Sequence, residues 1–161
     1  MPTLRYATSA DAALITGHRH QMFADNHFTT EQALLEADAE FEPWVRQRLE
    51  DGRYLGLLLE DAIHEGATRV IAGAGIFFAD FPPHWIDPQP VRAYVLNVYT
   101  LPEARSQGLA TLLMQAVLTE CRRRDIPTIV LHASPFGRPV YERLGFAPSD
   151  EMMLRLNAAP S

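Results

Sequence analysis

PEARSQGLATLL, residues 102–113, puts an arginine, two polar residues and Gly108-Leu109-Ala110 at the head of an amphipathic run. A glycine in the first turn of a helix costs about 1 kcal/mol against alanine. One reason to keep it is a partner that approaches the backbone too closely for a side chain. The head of a helix carries unpaired backbone N–H groups and the positive end of the dipole. Ser106, Gln107, Gly108, Leu109, Ala110 and Thr111 would present those donors around one point, where a phosphate group could sit, with Gly108 and the small Ala110 keeping bulk away from it. An ordinary helix start whose glycine packs on a neighbour fits the same residues, and the stretch alone does not choose. The GxGxxG dinucleotide fingerprint is absent.

Reading outward, Ala93–Thr100 is an apolar strand leading into this stretch, expected to be central in a sheet. Leu109, Leu112, Leu113, Ala116, Val117 and Cys121 follow at helical spacing and form a stripe that should pack on it. Thr128–His132 reads as a further buried strand, Pro139–Leu144 as a short helix stopped by Gly145, and Met152–Leu156 as a last strand. Upstream, Thr3–Ala7 predicts a strand, and Ser9 caps a helix through Phe23. A second helix runs from Thr30 to Asp51-Gly52, with Leu34, Leu35, Phe41, Trp44, Val45 and Leu49 near helical spacing. Tyr54–Leu59 and Arg69–Phe78 read as neighbouring strands. Gly73 and Gly75 within the second suggest a bulge or a close approach by another backbone. The segment DFPPHWIDPQP, Asp80–Pro90, is too proline-rich for a regular element. The order β-α-α-β-β-β-α-β-α-β predicts a mixed sheet with helices on its faces.

With 161 residues and 47% apolar content, residues 1–161 are expected to form a single domain that needs no metal or disulfide. A lone cysteine, Cys121, excludes an internal disulfide framework and suits a reducing, cytoplasmic location. No apolar run is long enough to span a membrane. All 14 basic residues are arginine, so a Walker-type phosphate loop and a pyridoxal Schiff base are both excluded. A net charge of −6 argues against nucleic acid. Arg122-Arg123-Arg124 reads as a solvated helix end. His18 and His20 fall about 200° apart on a helix and cannot share a metal from one face.

The segment Arg105-Ser106-Gln107-Gly108-Leu109-Ala110, preceded by NVYTLPEA and followed by YERLGF (Tyr141–Phe146), resembles the GNAT superfamily of acyl-CoA-dependent N-acetyltransferases. The likeness covers Ala93–Phe146 closely. It implies the GNAT fold, an α/β (α+β) architecture with a mostly antiparallel central sheet, helices on both faces and a splay between central strands. It also implies acetyl-CoA as cosubstrate, an amine as acceptor, and no metal. By the same resemblance Val98, Tyr99 and Thr100 would offer backbone groups to the pantetheine arm, Val98 N–H would hold the thioester carbonyl, and Arg105–Thr111 would hold the pyrophosphate. Ser134 stands where the family often has a cofactor-contacting asparagine, and Tyr141 matches the tyrosine that protonates the departing thiolate.

The chemistry is coherent without the family. A thiolate whose conjugate acid has a pKa near 8.5 can take its proton from a nearby phenol. Tyr141 could equally be a packing residue at the end of a short helix. No base stands out: the strand position that carries a glutamate in some relatives is Tyr94 here, leaving Asp80, His84 or water. The acceptor is expected among the first two helices and the loop with His84 and Trp85. There Phe23, Phe28, Trp44, Phe78, Asp25, Asp38 and Asp80 would suit a cationic amine, unless the aromatics are core and the acids surface. Two functions remain: an acetyltransferase acting on a small primary amine or an amino terminus, or a non-catalytic acyl-CoA-binding module. A homodimer is compatible with either.

Overall fold

The computed structural model describes residues 1–157; residues 158–161, the end of the expected domain, lie outside the described residues. Five strands, β1 (Thr3–Tyr6), β2 (Tyr54–Ala62), β3 (Thr68–Asp80), β4 (Val91–Thr100) and β5 (Ile129–Leu131), form one sheet in chain order. The first four pair antiparallel and β5 joins β4 in parallel. The helices are α1 (Ala12–Asp25), α2 (Glu31–Asp51), α3 (Leu109–Arg123) and α4 (Arg138–Arg143).

Alternation along the strands divides the core between the two faces of the sheet. Leu57, Leu59, Ala93 and Val95 pack with Leu109, Leu113, Met114, Val117 and Cys121 of α3 and Tyr141 of α4. On the other face Tyr54 packs with Ala12 and Ile15 of α1 and Val45 of α2, flanked by Phe41, Trp44, Phe77 and Leu96. Local chemistry sets the ends of α2. The Thr30 side chain accepts from Ala33 N–H at 3.2 Å, and Gly52 closes the helix at φ +81°.

Four expectations are corrected. Ser9 does not cap α1: it begins a 3₁₀ turn, and the Asp11 carboxylate accepts from Thr8 N–H at 2.8 Å while Arg5 holds it from outside. Leu112 points outward from α3, its place in the core taken by Met114. The fifth strand covers only Ile129–Leu131 and is half-buried, because it lies at the sheet edge. Met152–Leu156 forms no strand; Met152 and Leu154 are 94% and 81% exposed, and alternation without a pairing partner does not make a strand. The bulge expected at Gly73 and Gly75 is present, the register shifting between them. A Cβ at Gly75 would lie 1.9 Å from Tyr54 Oη, so the close approach there is by a buried phenol and not by another backbone.

Candidate active site

β4 is the backbone of the site. Its ladder with β3 pairs Gly75 with Leu96 but Gly73 with Tyr99, so Ala74 alone faces both Asn97 and Val98. This bulge is absorbed by Asn97, a non-glycine residue at φ +57°. Asparagine tolerates that conformation better than most residues, and its amide is tied at both ends. Asn97 Nδ2 donates to Tyr54 Oη at 3.1 Å, and Asn97 Oδ1 accepts from Arg19 Nη1 at 2.9 Å.

The parallel ladder to β5 holds only Ala93–Val95 against Ile129–Leu131. Beyond it β4 runs on to Thr100 with no neighbour on that side, about 16 Å of strand at the usual rise. Leu101 N–H bonds Ile71 on the β3 side, so by alternation Tyr99 also faces β3, and Val98 and Thr100 aim N–H and C=O into the gap. The Thr100 carbonyl is already taken by Arg105 Nε at 3.1 Å. Tyr99 therefore departs from the expectation, since its backbone belongs to the β3 ladder. Its side chain lies on the α1 face, 5.2 Å from the His18 ring, with its hydroxyl 3.4 Å from Asp25.

At the end of the gap stands the head of α3. Gly108 is the residue before the helix, not part of its first turn, and it sits at φ +75° with nothing within 4 Å of where a Cβ would be. Ser106 is also left-handed, at φ +63°. Among the described residues, the N–H groups of Ser106, Gln107, Gly108, Leu109, Ala110 and Thr111 find no protein acceptor; the first bond of the helix comes from Leu112 to Gly108 at 3.1 Å. Six successive free donors beside two left-handed residues form an anion cradle. The Arg105 side chain turns away from it and clasps Asp25, at the end of α1, at 2.6 Å.

Tyr141 belongs to the apolar cluster on the α3 face of the sheet, and Val98 packs against the same cluster. The Tyr141 hydroxyl has no hydrogen-bond partner among the described residues and is not sealed from solvent. Burial raises its pKa above the ordinary phenol value, so it carries its proton at neutral pH. Ser134 is otherwise engaged: its Oγ accepts from Gly137 N–H at 3.2 Å, ahead of α4. Tyr94 points its hydroxyl at His132 Nδ1, 3.3 Å away.

Asp80, His84 and Trp85 are not brought to Val98. Asp80 faces Val91 at the far end of the β3–β4 ladder, roughly 20 Å along the strand. His84 and Trp85 lie against each other in the exposed loop, their rings tilted by 37° with centroids 5.4 Å apart. Trp44 and Phe78 are packed into the cores of the two faces. Arg122, Arg123 and Arg124 are exposed as expected, and Arg123 and Arg124 also reach the buried Glu120, whose carboxylate accepts from Tyr6.

Of the α1 residues on this face, His18 was weighed from the sequence only as a metal ligand and Arg19 was passed over. His18 is buried against Tyr99, and burial pushes its pKa down to about 4. Arg19 lies between the rings of Phe23 and Phe41, 4.7 Å from each centroid. No carboxylate pairs with Arg19 among the described residues. Its signal, an arginine one turn before a phenylalanine, is too common to have singled it out. Among the described residues, no group of three or more His, Cys, Asp or Glu is arranged to hold a metal, and no helix is long and apolar enough to cross a membrane.

Residues 84–155 match the family model described as an acetyltransferase (GNAT) domain. A GCN5-related N-acetyltransferase from Ralstonia eutropha JMP134 is similar at 32% identity and a TM-score of 0.88, covering 98% of this chain and 100% of that one. A predicted acetyltransferase from Clostridium acetobutylicum, solved with acetyl-CoA, is 30% identical with a TM-score of 0.84, covering 98% and 96%. Glucosamine-6-phosphate N-acetyltransferase from Arabidopsis thaliana shares the fold at 13% identity and a TM-score of 0.66, covering 98% and 99%. No curated protein sequence matches the chain.

Proposed function

Since this chain belongs to the GNAT family of acetyltransferases, we propose that it transfers an acetyl group from acetyl-CoA to a primary amine by direct attack, the amine being a small molecule or a peptide amino terminus. The observation that carries this reading is the run of six unpaired N–H groups from Ser106 to Thr111, set beside the unpaired half of β4. The cradle suits a diphosphate, and the gap suits an extended amide-bearing arm that borrows Val98 and, through its N–H, Thr100 as strand partners.

In this reading the thioester carbonyl accepts from Val98 N–H. That donor is fixed by the bulge, so it favours the charge that builds on oxygen as the amine attacks. The new C–N bond forms, the C–S bond breaks, and the departing thiolate takes the Tyr141 phenolic proton. The ammonium proton leaves to solvent, since β4 supplies no carboxylate there and Tyr94 is a poor base at neutral pH, its pKa raised by burial. No enzyme nucleophile is needed. Cys121 is fully buried in α3 with its pKa raised by burial, and such an unexposed thiol suits the cytosol.

The test is acetyl-CoA binding by calorimetry together with thiol release across a panel of amines. Binding with amine-dependent release is expected. Binding without release for any amine would assign the fold to an acyl-CoA-binding role instead, and absence of binding would remove both.

A further inference from the structure

Unlike Arg5, Arg105 and Arg123, Arg19 pairs with no carboxylate among the described residues. Its guanidinium faces are covered by Phe23 and Phe41, and one nitrogen is spent on the neutral Asn97 amide. What remains open is an edge of the planar fork. Burial draws its pKa below the ordinary guanidinium value without neutralising it, so the charge persists with no carboxylate in contact among the described residues, Asp38 acting on it only from a distance. A half-buried charge held in one orientation against two rings costs stability unless something anionic meets it.

Position says what meets it. Asn97, which holds Arg19, immediately precedes Val98, the proposed donor to the thioester carbonyl. The bulge turns the Asn97 side chain to the α1 face, where Tyr54, Tyr94 and Leu96 also lie. An amine attacking at Val98 from that face would have its own substituents within reach of the Arg19 edge. A carboxylate matches a guanidinium edge by two parallel hydrogen bonds.

We propose that Arg19 is a specificity residue that binds a carboxylate on the acceptor, making the acceptor class amino acids and related amines that carry a carboxylate a few bonds from the nitrogen. This rests on the transferase reading above and narrows it. It also narrows the expectation of a cationic amine, which was drawn from the aromatics together with Asp25, Asp38 and Asp80. Asp25 is engaged by Arg105 at 2.6 Å, Asp38 by His20 at 2.6 Å, and Asp80 lies at the far end of β3.

The experiment compares matched pairs that differ only in the carboxylate: L-phenylalanine against 2-phenylethylamine, and L-methionine against 3-(methylthio)propylamine. O-phosphoethanolamine against ethanolamine is the phosphate arm. Thiol release gives kcat/KM for each member, and calorimetry on the CoA-loaded protein reads binding of the same compounds without turnover. The wild type should favour the carboxylate member by roughly 10–100-fold, the usual worth of a charge-assisted bidentate pair. Arg19→Met keeps the aliphatic stem between the rings and should bring the ratio of the two members near one, chiefly through the KM of the carboxylate member. Arg19→Lys, which keeps the charge, should retain part of the preference and serves if the Met variant does not fold. Turnover with no carboxylate preference, or a preference that survives Arg19→Met, overturns the proposal and leaves the transferase reading standing. Preference for the phosphate member alone overturns the carboxylate assignment. Carboxylate-selective binding lost in Arg19→Met, with no turnover on any amine, sustains Arg19 and sinks the transferase reading. Absence of binding and turnover for every pair overturns both.

Discussion

Gly108 separates backbone strain from charge at the cradle, because a side chain added there meets nothing within 4 Å. At φ +75° alanine pays about 1–2 kcal/mol for the left-handed conformation, offset in part by about 0.4–1 kcal/mol from a less flexible unfolded chain. Gly108→Ala should therefore lower the thermal midpoint by about 2–4 °C, the response of a domain this size to about 1 kcal/mol. Asparagine and aspartate tolerate this conformation better and both can cap the helix they precede. The two differ only in charge. A carboxylate about 5 Å from a phosphoryl charge, at an effective permittivity near 20, opposes it by about 3 kcal/mol; exposure of the loop reduces this to about 1–3 kcal/mol. The ligand-free midpoint of Gly108→Asp should equal or exceed that of Gly108→Asn, because negative charge suits a helix head. Its acetyl-CoA dissociation constant by calorimetry should nevertheless be about 10–100-fold larger, with the gap closing as salt is raised. Equal constants for two folded variants would refute the cradle.

Tyr141→Phe removes a hydroxyl without a hydrogen-bond partner, so stability and acetyl-CoA affinity should hold while the single-turnover rate falls about 10²–10⁴-fold; an unchanged rate across pH would reduce Tyr141 to a packing residue. Gly75→Ala drives a methyl group into Tyr54 and should cost about 1–3 kcal/mol in denaturant unfolding, so wild-type stability would mean that Tyr54 does not lie over Gly75. His18 is neutral and buried with a pKa near 4, below its unfolded value near 6.5, so its contribution is full above pH 6.5 and is lost as pH falls towards 4. That amounts to about 3 kcal/mol, which His18→Gln should remove from the acid limb of a stability–pH curve. His20, whose pKa Asp38 and Glu31 raise, works in the opposite sense, giving up its contribution as pH rises through the folded value. An acid limb equally steep in His18→Gln would place the titrating group elsewhere.

What could be read from residue order was whatever is decided locally. Thr30 and Gly52 mark α2 because capping and the left-handed turn depend on a few adjacent atoms. The α3 stripe is a property of its own period, though the period alone put Leu112 inside in place of Met114. At the candidate site, the free N–H groups of Ser106–Thr111 were legible because a local loop conformation sets them, whereas the role of Tyr141 rests on the motif. The bulge was legible from the β3 side, where Gly73 and Gly75 flank it, but nothing around Asn97 announces which β4 residues Ala74 will face. Arg19 was hidden for a related reason: its two rings come from α1 and α2, and its acceptor is 78 residues away in sequence. Met152–Leu156 shows the converse, an alternating pattern with nothing to pair against.

The half of β4 that runs past β5 should also behave unevenly toward solvent. Tyr99 and Leu101 give their N–H groups to β3 while Val98 and Thr100 give theirs to open space. Deuterium should enter this one strand at alternate residues, fast at 98 and 100 and slow at 99 and 101. An acyl donor lying along the strand would even out the pattern. The amide-exchange record of four consecutive residues would then report whether the gap is filled, without any turnover at all.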